Sequence, residues 1–273
     1  MTDAFWYVTV AAVGALIGSF LNVCIYRLPR GESIVWPGSH CPTCTEAIAW
    51  HDNIPVMSYL WLFGRCRACR APISMRYPIV EAANATGYVA ILATFGVNWT
   101  TVLYCILFSA LLVVTGTDLT HKIIPNVVTV PGILVGLFGA ATVLPVGPVN
   151  ALLGVAVGGG ILWALAWASP YLFGKEGMGG GDIKLLAMIG AFLGWKPALL
   201  TILIGSLTGS VIGISSGTNP YAWSRNALMS NHPSSGERNF EGAAGAAGGA
   251  DGSGGAGSAA GAGAAAGAAT AVA

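Results

Sequence analysis

Two aspartates carry the clearest chemical signal in this chain. Asp118 and Asp182 each lie at the edge of an apolar segment, and acidic groups at membrane depth are costly enough to require a functional reason. Glycines at 179–181 precede Asp182 and would let a substrate backbone approach its carboxylate without a side chain in the way. Two carboxylates that converge on one water are the minimal equipment of an aspartic peptidase, because their mutual repulsion makes them share a proton.

Each aspartate also has a purely structural interpretation. Asp118 is expected near the carboxyl end of a helix, where the helix dipole disfavours a negative charge unless that charge is neutralised. Asp182 is expected just before a helix, where an aspartate is a common and stabilising N-cap. Capping and catalysis are compatible, so the local sequence leaves both roles open for Asp182.

The composition predicts a polytopic membrane protein that is all α-helical. Of the 273 residues, 55% are hydrophobic and 8% are charged, with a mean hydropathy of +0.70, whereas a soluble domain carries about 25% charged residues. Apolar segments bounded by Pro, Gly or charge predict about seven spans, with an eighth doubtful. We place the seven spans at 5–26, 79–96, 100–116, 127–144, 151–173, 183–195 and 197–214.

Positive charges predict the orientation of these spans. Six arginines lie between the first and second predicted spans, namely Arg27, Arg30, Arg65, Arg67, Arg70 and Arg76. Short basic loops stay in the cytoplasm, so the N-terminus is expected outside and the basic loop inside. Counting spans from there places both aspartates on the cytoplasmic side. The net charge of +1 gives no indication of nucleic-acid binding.

Four cysteines in the long loop have the spacing of a metal site. They form two C-x2-C knuckles separated by 21 residues, Cys41 with Cys44 and Cys66 with Cys69. Four thiolates so arranged can close a tetrahedral zinc site, which has no open position and is expected to fold the loop. Unmetallated thiols or a redox pair are the alternatives, although a reducing compartment disfavours a disulfide. Cys24 and Cys105 lie in apolar runs and are expected to be buried, inert thiols.

Further motifs follow one another in a characteristic order. They are 18–23 (GSFLNV), 26–29 (YRLP), the two knuckles, 53–56 (NIPV), 73–78 (ISMRYP), Asp118 before 124–126 (IPN), and 175–185 (KEGMGGGDIKL). In this order and spacing, from about residue 14 to 214, the chain resembles the bacterial type IV prepilin peptidases. These are inner-membrane aspartic endopeptidases of the Gly-x-Gly-Asp class.

The resemblance implies an enzyme with two activities. Such proteins cut the basic leader of prepilins and pseudopilins of type IV pilus and type II secretion systems, on the cytoplasmic side and after a glycine. Many then methylate the new N-terminal residue with S-adenosylmethionine. By the family pattern Asp118 and Asp182 are the catalytic pair. No nucleotide-binding fold for the methyl donor is visible, so the cysteine loop and the adjacent helix ends are the available place for it.

The expected organisation has four parts. A first span at 1–26 precedes a cytoplasmic zinc-binding loop at 27–77 and a polytopic catalytic domain at 78–214. Residues 215–273 depart from the family pattern and form a tract rich in Gly and Ala, which is expected to be flexible. The oligomeric state is not predicted.

Three other functions fit parts of this pattern. In a transporter or channel the acids would bind ions, but such acids are expected nearer the middle of spans, often in a repeated half. A non-catalytic scaffold of a pilus or secretion assembly would tolerate loss of either aspartate. A peptidase without methyltransferase activity is a narrower alternative. Within the peptidase reading, Glu81 at the start of the second span is a further hypothesis, as a contact for the positive leader.

Overall fold

The regular secondary structure of the described residues is helical. The computed structural model describes residues 2–173 and 179–215. In these ranges every extended regular element is a helix, and strand pairing is limited to isolated bridges. The predicted all-α fold is therefore confirmed. The predicted Gly/Ala-rich tail lies outside the described residues beyond position 215.

The long helices match the predicted spans closely. In the described ranges the α-helices are α1 Thr2–Arg27, α2 Met57–Trp61, α3 Arg76–Phe95, α4 Trp99–His121, α5 Asn126–Thr142, α6 Pro148–Phe173, α7 Gly180–Leu193 and α8 Trp195–Ser215. Each of the seven predicted spans coincides with one long helix. The short helix α2, inside the polar loop, was not predicted. Two 3₁₀ turns, Leu28–Arg30 and Trp50–Asn53, complete that loop.

Several helices have the length and composition of membrane spans. Within the described residues, three segments are long and apolar enough to cross a membrane: Ala4–Arg30, Trp99–His121 and Pro148–Ser169. Helix α5 is apolar but shorter. The chain is thus a multi-pass membrane protein, and the count of about seven crossings stays a prediction.

Helices α1, α3 and α4 pack together through small residues and buried polar groups. A Cβ at Gly18 would lie 2.7 Å from Cα of Glu81, so α1 and α3 approach closely there. Nearby, Nδ2 of Asn84 donates to the carbonyl of Gly14 at 2.7 Å, and Oγ of Ser109 donates to Oδ1 of Asn84 at 3.0 Å. Because buried polar groups require partners, this network fixes the register of the three helices.

Helix α7 is the buried centre of a second group of helices, packed against α5 and α6. All of its residues from Leu186 to Phe192 are buried. Its closest approach is to α6, where a Cβ on Gly154 would clash with the carbonyl of Gly190. Because α7 is packed between α5 and α6, the residues of its first turn have a defined position.

Candidate active site

Asp118 lies in the last turn of α4, near the place that the sequence predicts. The helix stops after His121 because Lys122 takes the left-handed conformation, with φ of 56°. The Lys122 backbone N–H donates to the carbonyl of Asp118 at 2.9 Å, which closes the final turn. The Asp118 side chain is half-buried.

Asp182 lies in the first turn of α7 and does not cap it. Gly179 occupies the N-cap position, and Asp182 is the third residue of the helix. The N-cap interpretation of Asp182 is therefore wrong. Its side chain is exposed, and a carboxylate in the first turn interacts favourably with the helix dipole.

The two aspartates come from different helices that are in contact. Asp118 lies in the last turn of α4 and Asp182 in the first turn of α7, and these two helices pack against each other. The geometry suits the predicted acid and base roles, which remain a prediction.

The turn between α4 and α5 positions α7 relative to α4. A Cβ at Gly181 would lie 2.8 Å from Cβ of Ile124, so the glycine allows the first turn of α7 to rest on this turn. Next to it, Nζ of Lys184 donates to Oδ1 of Asn126 at 2.8 Å. The sequence marks Asn126 only as part of the motif at 124–126 and gives no sign of this contact.

The four knuckle cysteines meet in one cluster. Their Sγ atoms all lie within 4.8 Å of one another, and the Sγ atoms of Cys41 and Cys69 are 3.8 Å apart. Tetrahedral zinc with Zn–S bonds of about 2.3 Å requires neighbouring sulfurs about 3.8 Å apart. The donor set and its spacing fit a structural zinc ion.

The two knuckles have the same backbone structure. In the first, Thr45 N–H donates to the carbonyl of Cys41 at 2.9 Å, and in the second, Arg70 N–H donates to that of Cys66 at 3.1 Å. Thr45 and Arg70 both have positive φ, 58° and 62°. Isolated bridges close both turns at equivalent positions, His40 with Ala47 and Arg65 with Pro72.

Two of the six arginines have structural partners in addition to any effect on orientation. Arg67 forms a bidentate pair with Asp52, with Nε to Oδ2 at 2.6 Å and Nη2 to Oδ1 at 2.5 Å. This pair holds the pKa of Asp52 below its usual value. Arg27 is buried and donates to the carbonyls of Ser33 and Gly38. These two arginines therefore also stabilise the folded loop.

Glu81 does not face a site that a leader could reach. It is 7% exposed, accepts a 2.7 Å hydrogen bond from the backbone N–H of Val56, and lies close to Ser19. The hypothesis that Glu81 contacts the positive leader is therefore wrong. Its carboxylate instead joins α1, α3 and the loop.

The structure combines a helical membrane bundle, one acid at each of two neighbouring helix ends, and a loop with four clustered cysteines. This is the combination that the sequence predicts for a membrane aspartic peptidase. Comparison with known families agrees. The Bacterial Peptidase A24 N-terminal domain matches residues 12–95, and the Type IV leader peptidase family matches residues 105–214. The chain belongs to the type IV leader peptidase family, as its motifs predict.

Individual relatives support this assignment. Three of them are named prepilin leader peptidase/N-methyltransferase: those of Myxococcus xanthus (42% identical over 74% of this chain), Aeromonas hydrophila (40% over 73%) and Pseudomonas aeruginosa (38% over 74%). The match spans 60% of the Myxococcus protein, less than two thirds of its length, and 77% and 78% of the other two. No solved structure matches significantly.

Proposed function

We propose that this chain cleaves the basic leader of type IV prepilins and pseudopilins and then methylates the new N-terminal residue with S-adenosylmethionine. Both activities agree with its family and with the names of its relatives. The observation that carries the proposal is that Asp118 and Asp182 lie at the ends of two helices in contact, the last turn of α4 and the first turn of α7. The reaction takes place at the cytoplasmic face of a bacterial inner membrane, where the basic loop orients the chain.

In the proposed cleavage, the two aspartates divide acid and base work. One carboxylate deprotonates the attacking water, while the other donates a proton to the carbonyl oxygen and then to the leaving amine. No covalent enzyme intermediate is needed. A Cβ at Gly179 or Gly180 would meet nothing within 4 Å, which leaves room for a substrate backbone beside the exposed Asp182.

The cysteine loop supplies structure in this proposal. A zinc ion held by Cys41, Cys44, Cys66 and Cys69 would fold the predicted loop at 27–77 and would take no part in hydrolysis, since four thiolates leave no position for water. The predicted membrane domain at 78–214 carries both acids. Methyl transfer is assigned to the loop and the adjacent helix ends, which are the parts of the chain outside the bilayer near the new N-terminus.

The decisive experiment is cleavage of a prepilin in membranes, followed by mass spectrometry of the new N-terminus. We expect Asp118→Asn and Asp182→Asn each to lower cleavage by about 10²–10⁴-fold, the usual effect of losing a general acid or base. Asp52→Asn serves as the control, since that acid pairs with Arg67 in the loop.

Each alternative predicts a different result. A scaffold would leave the prepilin uncut by the wild-type chain, and a simple peptidase would give a product lacking the added methyl group. Undiminished cleavage by folded forms of both aspartate variants would show that the acid pair is not the catalyst.

A further inference from the structure

Helix α2 presents an apolar face that the rest of the protein leaves uncovered. Met57, Leu60 and Trp61 are 59%, 61% and 79% exposed, and Phe63, just after the helix, is 88% exposed. Positions i, i+3 and i+4 lie on one side of a helix, so the first three share a face. A loop fully surrounded by water would not favour so much apolar surface in one short segment.

The contacts of Glu81 determine the depth at which α2 is held. Val56, which directly precedes α2, donates its backbone N–H to Glu81. Glu81 in turn lies against α1 at Gly18 and Ser19, where a Cβ on Gly18 would be 2.7 Å from Cα of Glu81. At 1.5 Å per residue, Glu81 lies about 7 Å inside the start of α3, and Ser19 lies about 12 Å inside the end of α1. Because α1 is long and apolar enough to cross a membrane, α2 is held near the edge of the bilayer.

The inner side of α2 is tied to the beginning of α3. The Tyr59 hydroxyl donates to Sδ of Met75 at 2.8 Å, and Gly64 N–H donates to the Tyr59 carbonyl at 2.9 Å. Val56 adopts a φ of 60°, which a β-branched residue accepts only when its surroundings enforce it. The opposite side of α2 therefore points outward.

An exposed apolar side chain also lies near the start of α3. Ile79, in the first turn of that helix, is 57% exposed, so apolar surface is uncovered on the bundle as well as on α2. Aromatic residues favour the boundary between headgroups and acyl chains. Arg65, exposed two residues after Phe63, can extend its charged end to the headgroups while its stem packs on apolar groups.

We propose that Met57, Leu60, Trp61 and Phe63 form an interfacial face that inserts into the bilayer crossed by α1. The partner is the lipid itself, at the boundary of headgroups and acyl chains. Insertion ties the cysteine loop to the membrane surface through α2, in addition to its two covalent ends. This inference depends on α1 spanning the membrane and is independent of peptidase activity.

The loop offers a closely matched control for this proposal. Trp36 is 78% exposed, almost the same as Trp61 at 79%. Its segment is held by Arg27, which donates to the carbonyls of Ser33 at 2.9 Å and Gly38 at 3.3 Å. Arg27 is the last residue of α1, so Trp36 is anchored about 12 Å farther along that helix than Ser19.

The test is photocrosslinking of the full chain in vesicles of phosphatidylethanolamine and phosphatidylglycerol. Trp61→p-benzoylphenylalanine and Trp36→p-benzoylphenylalanine are irradiated separately, and adducts are identified by peptide mass spectrometry. We expect lipid adducts at position 61 and none above background at position 36. Phe63→p-benzoylphenylalanine, in a turn beyond α2, should give lipid adducts as well and guards against local misfolding of the Trp61 variant.

Other products would overturn the proposal. Crosslinks to added prepilin in place of lipid would make the interfacial face a substrate contact. Crosslinks between two copies of the chain would make it a dimer contact. Equal yields of lipid adduct at positions 61 and 36, or adducts at neither 61 nor 63, would show that α2 is no closer to the bilayer than the rest of the loop.

Discussion

Nζ of Lys184, in α7, lies 2.8 Å from Oδ1 of Asn126, the first residue of α5. This hydrogen bond joins the turn that follows Asp118 to the helix that carries Asp182. We therefore expect Lys184 to help position the two acids, since it connects α7 to the first residue of α5, just after the turn that follows α4.

We predict that Lys184→Met and Asn126→Leu each lower kcat for prepilin cleavage by about two- to tenfold, with little change in KM. This corresponds to the net 0.5–1.5 kcal/mol of one hydrogen bond, lost here from the alignment of the acids. Asn126→Asp keeps an acceptor for Lys184 and should retain most activity. Steady-state kinetics in membranes measures the effect, and an inactive Asn126→Asp variant would contradict the explanation.

The contact between Gly154 and Gly190 gives a second prediction. Gly154→Ala would push a methyl group into the carbonyl of Gly190 and separate α6 from α7. Overpacking of this kind costs about 1–3 kcal/mol of unfolding free energy, and displacement of α7 should also reduce cleavage. Gly160→Ala, in the same helix, meets nothing within 4 Å and should be tolerated. Equal thermal stability of the two variants would argue against a close α6–α7 contact.

Metal content tests the four-cysteine cluster. We expect the purified chain to contain one zinc ion per molecule and Cys41→Ser to lose it, because a thiolate is removed from a closed tetrahedral site. Cys105→Ser is the control, since that thiol is buried in α4 away from the cluster. Elemental analysis gives the stoichiometry, and chelation should increase amide exchange in the loop. Full zinc in Cys41→Ser would exclude this ligand set.

The pair formed by Asp52 and Arg67 predicts a dependence of loop stability on pH. Arg67 holds the pKa of Asp52 below its usual value, so the carboxylate contributes stability above the unfolded-state pKa of about 3.9. That contribution is lost as pH falls from there through the lower folded-state pKa. Amide exchange of the Trp50–Asn53 turn should thus be slower in wild type than in Asp52→Asn near neutral pH. The two should converge at acidic pH, and a constant difference would refute the assignment.

Much of this architecture was predictable because membrane helices are recognisable in the sequence as long apolar segments. Each of the seven predicted apolar segments corresponds to a helix, and the four thiols of the two knuckles meet in one cluster, as their spacing predicts. The predicted end of the third span was less accurate, because α4 continues beyond the predicted limit at 116 to His121. Polar residues at a helix end reduce hydropathy without breaking backbone hydrogen bonds, which is why Asp118 lies within the helix.

The remaining features depend on contacts between distant residues. The sequence gives no local sign that Glu81 bonds to Val56, 25 residues earlier, because a carboxylate at the start of an apolar segment looks like a surface charge. The N-cap of α7 is Gly179 and not Asp182. A glycine-rich segment does not indicate at which residue the following helix begins. Helix α2 has five residues, too few for its period to be recognised.

The matching turns of the cysteine loop have a consequence for how it folds. Residues 40–47 and 65–72 repeat the same bridge and the same left-handed position, so each turn presents two thiols in the same way. Each turn contributes half of a coordination sphere, and neither half is sufficient alone. An ion held by both would join two short turns, distant in sequence, into one cooperative unit that is complete only when both have folded.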